Sequence, residues 1–281
     1  MSASTRAVHG VLAVAVVMAV SSCQPEPRPV SPSPTQSNSS PSASGSTPVT
    51  SSSGSDSSTA GAPGDLLPDL VMLPLEAFHV AFEGNRKVLR FGSDVVNAGD
   101  GPLDLTGSRP NVQQPELKVV QNIFQTGGGQ RPAQTDAVMK YASADGHDHF
   151  HLLNFEQFRL RPADGSDWRA SHKEGFCLRD DGNLQGKPSR YDDANFDCGE
   201  EAADAALEVR QGLSEGWVDV YDWYVYGQFI DLEGLQLPGD FCIEATADPD
   251  KLLVEKAKDN NVASTLLHIS ATDVSIVRQG C

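Results

Sequence analysis

The chain has 281 residues and a formal net charge of −17 at pH 7. A field of that sign argues against the phosphate-driven binding on which nucleic-acid partners depend, and it favours cationic partners, amines among them. Solubility of an exported protein asks for the same charge, so the composition permits an amine partner without singling one out.

The N-terminal stretch reads as a targeting signal. Arg6 precedes a continuous apolar run at 11–20, shorter than the roughly 20 residues that a bilayer span requires. The small residues Ser21 and Ser22 then lead directly to Cys23. Small residues close a secretory signal, and a cysteine placed immediately after them resembles a bacterial lipobox. Residues 1–22 are therefore expected to be a lipoprotein signal peptide, with the chain anchored by lipid on Cys23 to the outer face of the cell membrane. From 23 to 63 nearly every residue is Ser, Pro, Thr, Gly or Ala. Such a segment buries too little apolar surface to offset its ordering entropy, so a flexible tether is expected. Residues 64–281 are of a length that fits one domain. They carry nearly all the charge, since only Arg6, Glu26, Arg28 and Asp56 lie outside them.

Within that domain, short β-type runs alternate with turn signals. Residues 87–91 alternate polar and apolar, 95–97 follow closely, and Asn97-Ala98-Gly99-Asp100-Gly101-Pro102 marks a turn before the strand pattern resumes at 103–105. Further runs lie at 157–161, 218–226, 228–232, 241–247 and 265–269. Many short strands separated by Gly and Pro predict an all-β fold, a β-sandwich core with long loops and at most one or two short helices. The acidic, alanine-rich stretch 200–209 is the place where a short helix is expected. Setting Cys23 aside, four cysteines remain: Cys177, Cys198, Cys242 and Cys281. An even number outside the cell predicts two disulfides, with three connectivities open. Cys177–Cys198 with Cys242–Cys281 is the preferred set, the second bridge fastening the C-terminus.

The most informative string is His147-Asp148-His149-Phe150-His151, which holds three of the seven histidines. On a strand the three imidazoles share one face, with Asp148 and Phe150 pointing away. Same-face residues lie about 6.6 Å apart, which leaves the outer pair about 13 Å apart on a straight strand. Convergence on one ion thus needs curvature or a bulge, which Gly146 could help to supply. Three neutral imidazoles with an open position suit copper or zinc, and such ligands bind Cu(II) more tightly.

The run Asp145 to Phe158, containing that string, resembles the copper-binding segment of the lysyl oxidase family. Ser171-His172-Lys173-Glu174-Gly175-Phe176-Cys177-Leu178 is similar to the segment carrying that family's cofactor lysine. The stretch from Gln211 to Tyr221, followed by 227–232, looks like the segment carrying the cofactor tyrosine, and Asp259-Asn260-Asn261-Val262-Ala263 matches a closing motif. The resemblance covers about residues 68–269 and implies a central β-sandwich. It implies oxidative deamination of a primary amine, peptidyl lysine among the candidates, with dioxygen as co-substrate and aldehyde, ammonia and hydrogen peroxide as products. By resemblance, His147, His149 and His151 would hold Cu(2+). Lys173 and Tyr221 would form lysine tyrosylquinone, and Asp219, on the tyrosine's face of the strand, would be the base. His172 also matches the family, its role open. Cys177 and Cys198 match family cysteines whose usual partners are missing here, and that gap implies that they pair with each other.

Three other readings compete. A non-catalytic copper-binding or copper-carrying lipoprotein would keep the histidines and have no need of Lys173 and Tyr221 together. A zinc hydrolase would want a glutamate base near the metal, for which Glu156 is the neighbour in sequence. A purely adhesive β-sandwich would leave the histidines unexplained.

Overall fold

In the computed structural model of the chain, residues 61–143, 148–192, 198–200 and 202–281 are described. Cys23, the signal segment and nearly all of the expected tether lie outside them. So do Gly146 and His147.

The fold is all-β, as the sequence predicts. Three antiparallel sheets carry it. The first runs in the order Gly175–Phe176, His149–Leu153, Gln130–Ala142, Glu116–Gln125, Leu103–Ser108 and Glu208–Leu213. The second runs Arg169–Ala170, Glu156–Pro162, Gly239–Ala247, Val262–Ile269 and Val274–Gln279. The third is built on the twelve-residue strand Arg86–Asn97. Trp217–Tyr221, Phe229–Asp231, Leu70–Met72 and Glu76–Glu83 all pair with it, and Gly182–Asn183 pairs with Trp217–Tyr221. One continuous apolar core draws on all three sheets, with Phe91, Phe150, Phe158, Leu103, Ile243 and Leu267 fully buried. Among the described residues no helix is long and apolar enough to cross a membrane.

Several elements depart from the expected boundaries. The runs at 87–91 and 95–97 are one strand. The run expected at 218–226 stops at Tyr221, where the chain turns and returns as Phe229–Asp231. The helix expected within 200–209 is a single 3-10 turn, Ala203–Ala205, and Glu208 already begins a strand paired with Leu103–Ser108. Arg109 explains the difference. Its guanidinium donates to the carbonyls of Ala206 (2.8 Å) and Asp204, occupying acceptors that a helix would use. Tertiary partners here override alanine's helix propensity.

Both preferred disulfides are present, Cys177–Cys198 and Cys242–Cys281, with Cα separations of 6.0 and 5.7 Å. The second ties the last residue back to the strand Gly239–Ala247. Two disulfides fit an oxidising compartment outside the cytoplasm. The turn at 97–102 is organised by Asn97, whose side-chain nitrogen donates to the carbonyls of Gly101 (3.0 Å) and Leu213 (2.9 Å) while its oxygen accepts from Gly99 N–H (3.0 Å).

Candidate active site

The histidine strand begins later than its spacing suggests. His149–Leu153 is extended, whereas Asp148 adopts a left-handed backbone with φ of 43°. Asp is among the residues that tolerate this region. The chain therefore turns at Asp148, and the strand starts at His149. Phe150 is fully buried in the core, with its ring edge-on to Tyr141. His149 and His151 share the opposite face, and their Nε2 atoms stand 3.0 Å apart. Two imidazole nitrogens facing each other at that distance can converge on one ion. Glu200 reaches to 3.6 Å of His149 Nδ1, in the position of an outer carboxylate that orients a ligand ring. Among the described residues no set of three His, Cys, Asp or Glu side chains forms a complete metal cage.

Lys173 is brought to this strand by its own sequence neighbours. Gly175–Phe176 pairs with the histidine strand, Gly175 opposite Leu153. Only glycine fits there, because a Cβ would stand 2.5 Å from His151 Nδ1 and 2.6 Å from its Cβ. On the other side, Gly227, with φ of +75°, lies against the Lys173 backbone, where a Cβ would stand 3.2 Å from its Cα. The lysine is 7% exposed. Its Nζ lies 4.6 Å from the Tyr221 ring centroid and 4.8 Å from that of Phe176. Burial lowers its pKa to about 8, against the opposing pull of Glu156 and Asp219.

Tyr221 sits at the end of Trp217–Tyr221, opposite Ser93 of the long central strand. Its hydroxyl donates to the Cys177 carbonyl at 3.0 Å, and Phe176 packs edge-on to its ring at 5.2 Å. Two residues earlier, Asp219 shares the inward face, buried like Tyr221, while Val220 between them is exposed. One Asp219 oxygen accepts from Arg179 N–H at 3.3 Å, and the other, Oδ2, makes no well-formed hydrogen bond, although the Tyr221 hydroxyl beside the carboxylate steadies its anion. Burial raises the Asp219 carboxyl well above the usual range, with Glu156 and Asp181 adding to the effect. Burial likewise raises the Tyr221 phenol, with the Asp219 charge next in weight.

One cavity of about 190 Å³ is lined by His149, His151, Lys173, Asp219 and Tyr221 together, with Asp181 and Glu200 contributing further carboxylates. Every expected site residue among the described ones thus meets at a single place, and His147 alone lies outside the described residues. His172 lies on a neighbouring cavity, stacked on Phe229 and bonded through Nε2 to Asp231 at 2.9 Å. Glu156 does not line the two-histidine cavity, as a hydrolytic base beside a metal there would. It lines another, of about 260 Å³, with Asn154 and Lys173.

An all-β domain thus collects two histidines, a buried lysine and a buried tyrosine around one cavity. A family model described as Lysyl oxidase matches residues 108–281, and the chain belongs to the lysyl oxidase family. It is similar to lysyl oxidase homolog 1 of Homo sapiens, 30% identical over 139 residues that make up 47% of this chain and 22% of that protein. Protein-lysine 6-oxidase of Gallus gallus is 28% identical over 178 residues, 63% of this chain and 33% of its own length. Lysyl oxidase homolog 3A of Danio rerio is 25% identical over 179 residues, 63% and 18% of the two chains. This chain therefore spans no more than a third of the length of these relatives.

Proposed function

We propose that the protein is a copper-dependent amine oxidase, converting primary amines to aldehydes with release of ammonia and hydrogen peroxide. The observation that carries this reading is the placement of the Lys173 amine 4.6 Å from the Tyr221 ring, in the cavity that both described histidines line. His149 and His151, with His147 as third ligand, would hold Cu(2+). Lys173 and Tyr221 would join as lysine tyrosylquinone. Copper and that quinone supply an electrophilic carbonyl and an electron sink for oxidising the amine, with dioxygen as terminal acceptor.

The protein's own groups account for the rest. The Cys177 carbonyl and the Phe176 ring fix the plane of Tyr221. Asp181 and Glu200 give the cavity a negative field that draws in an ammonium substrate. Asp219 is the base that takes a proton from the carbon bearing the amine. Its buried carboxylate is the acceptor, and burial gives it the raised proton affinity this task needs. Peptidyl lysine and small amines both fit the reading. We further place residues 1–22 as a signal peptide, 23–63 as the tether, 64–281 as the catalytic domain, and lipid on Cys23 as the membrane anchor.

The test is made on the full chain, loaded with copper and aerated. A visible quinone band quenched by phenylhydrazine, with a Lys173–Tyr221 cross-linked peptide, is the expected result. Copper-loaded protein without the band and with both peptides unmodified would overturn the reading and leave a copper-binding lipoprotein.

A further inference from the structure

Glu156 opens the strand Glu156–Pro162 in the second sheet, opposite Ala247. It is 2% exposed, and its carboxylate oxygens make no well-formed hydrogen bond, the Ser93 side chain being the neighbour besides Lys173 that steadies the anion. A buried carboxylate left in this state costs several kcal/mol unless a charge nearby compensates it. The facing cation is Lys173, which lines the same cavity of about 260 Å³. Among the described residues the Lys173 Nζ makes no hydrogen bond or ion pair, only the contacts with the Tyr221 and Phe176 rings. Two buried groups of opposite charge thus border one small space, with Asp219 a second anion acting on Lys173. The other titratable groups that act on Glu156 or feel its charge are Asp94, Asp219 and Tyr221, of which the two acids disfavour a second anion.

We propose that Glu156 is a positioning residue for the cofactor. It steadies the Lys173 ammonium against Tyr221 before the two side chains join, and it takes up the proton that the lysine nitrogen loses when they do. The inference rests on the reading of Lys173 and Tyr221 as the cofactor pair. The step is a proton transfer alone. One Nζ–H bond breaks, one O–H bond forms on Glu156, and an ammonium–carboxylate pair becomes an amine and a carboxylic acid. No electron moves in it, and ring oxidation remains the work of dioxygen at the proposed copper site. Burial supports the exchange, raising Glu156 and lowering Lys173 until both stand at about 8. The proton can then pass between them at little cost. A carboxylic acid is also the form that a fully buried side chain tolerates once the neighbouring positive charge has gone.

The experiment begins with the metal-free full-length chain as wild type, Glu156→Gln and Glu156→Asp. The pH dependence of Lys173 methylation by formaldehyde and cyanoborohydride is read at the Lys173 peptide by mass spectrometry, with the exposed Lys118 as reference. Loss of the Glu156 charge should lower the Lys173 midpoint by about one pH unit, and Glu156→Asp should restore part of it. An unchanged midpoint in Glu156→Gln would overturn the proposal. The same chains are then loaded with copper and air, and infrared difference spectra are taken as the cross-link forms. A carbonyl band of a buried neutral carboxylic acid should grow in the wild type and be missing in Glu156→Gln. A wild type that cross-links without that band would also overturn the proposal. Should the wild type never cross-link, the amine-oxidase reading fails, and the metal-free titration still decides whether Glu156 holds Lys173.

Discussion

Replacing Gly175 by alanine should dismantle the candidate metal centre from behind. The new Cβ would lie 2.5, 2.6 and 2.8 Å from Nδ1, Cβ and Cγ of His151. Ordinary carbon contacts settle at about 3.5 Å or more, so the imidazole must withdraw by about 1 Å. One of the crowded atoms is the His151 Cβ, close to the backbone, so rotating the ring does not relieve the clash. The pairing of Gly175 with Leu153 must open instead. Overpacking of this kind costs about 1–3 kcal/mol. Metal–ligand distances hold to about 0.2 Å, so a displacement of about 1 Å should cost at least about tenfold in copper affinity. The assay is calorimetric titration with Cu(II), paired with a thermal melt of the metal-free chain. Gly127→Ala is the control, since no atom lies within 4 Å of its added Cβ. A Gly175→Ala chain that binds copper as tightly as the wild type would refute this account of how His151 is held.

Asp219→Asn should keep the fold and the Lys173–Tyr221 cross-link but lower amine turnover about 10²-fold or more, the contribution of a general base, as read by peroxide release. The stability of the metal-free chain should depend on pH through Glu156. Burial raises its folded pKa from the ordinary 4.5 to about 8, so its contribution is full below 4.5 and is lost as pH rises through 8. Urea melts of Glu156→Gln should therefore gain on the wild type across that window and match its pH dependence below it. Cys281→Ser should cost about 2–4 kcal/mol, the usual range for a bridge, through the loss of the tie to Cys242. Reductant should then have a smaller effect on its melting temperature than on that of the wild type.

Much of the site was legible because strand alternation is simple geometry. His149 and His151, and likewise Asp219 and Tyr221, stand two positions apart, and each pair shares a face. The disulfide set was legible from four cysteines and a missing set of partners. Glu156, the histidines' neighbour in sequence, shows where nearness along the chain stops being nearness in space. Counted along one strand it neighbours the histidines, but Asn154 takes a left-handed φ of 57° and sends the chain into another sheet. There Glu156 borders Lys173 instead. The hairpin of Glu116–Gln125 with Gln130–Ala142 was not picked out, although Leu117, Val119 and Ile123 alternate inward. Gln121 interrupts their apolar period, and it is buried because it copies a backbone. Its amide donates to the Val254 carbonyl and accepts from the Val254 N–H, both at 2.7 Å. The short helix failed for a comparable reason, since what Arg109 does to the carbonyls of 204 and 206 cannot be read from the composition of 200–209.

The Cys177–Cys198 bridge has a consequence for the order of events in the life of the chain. At one end, the Cys177 carbonyl holds the Tyr221 hydroxyl. At the other, the Cys198 carbonyl accepts from Phe150 N–H at 2.9 Å, between the two histidines. A single covalent link therefore spans the half of the site that would bind metal and the half that would be oxidised. While the thiols are reduced, the two halves are aligned only by weaker contacts. Oxidation locks them together, so the compartment that forms the bridge also sets when the two halves are held in register. On the proposed reading, a chain in a reducing compartment would lack that lock.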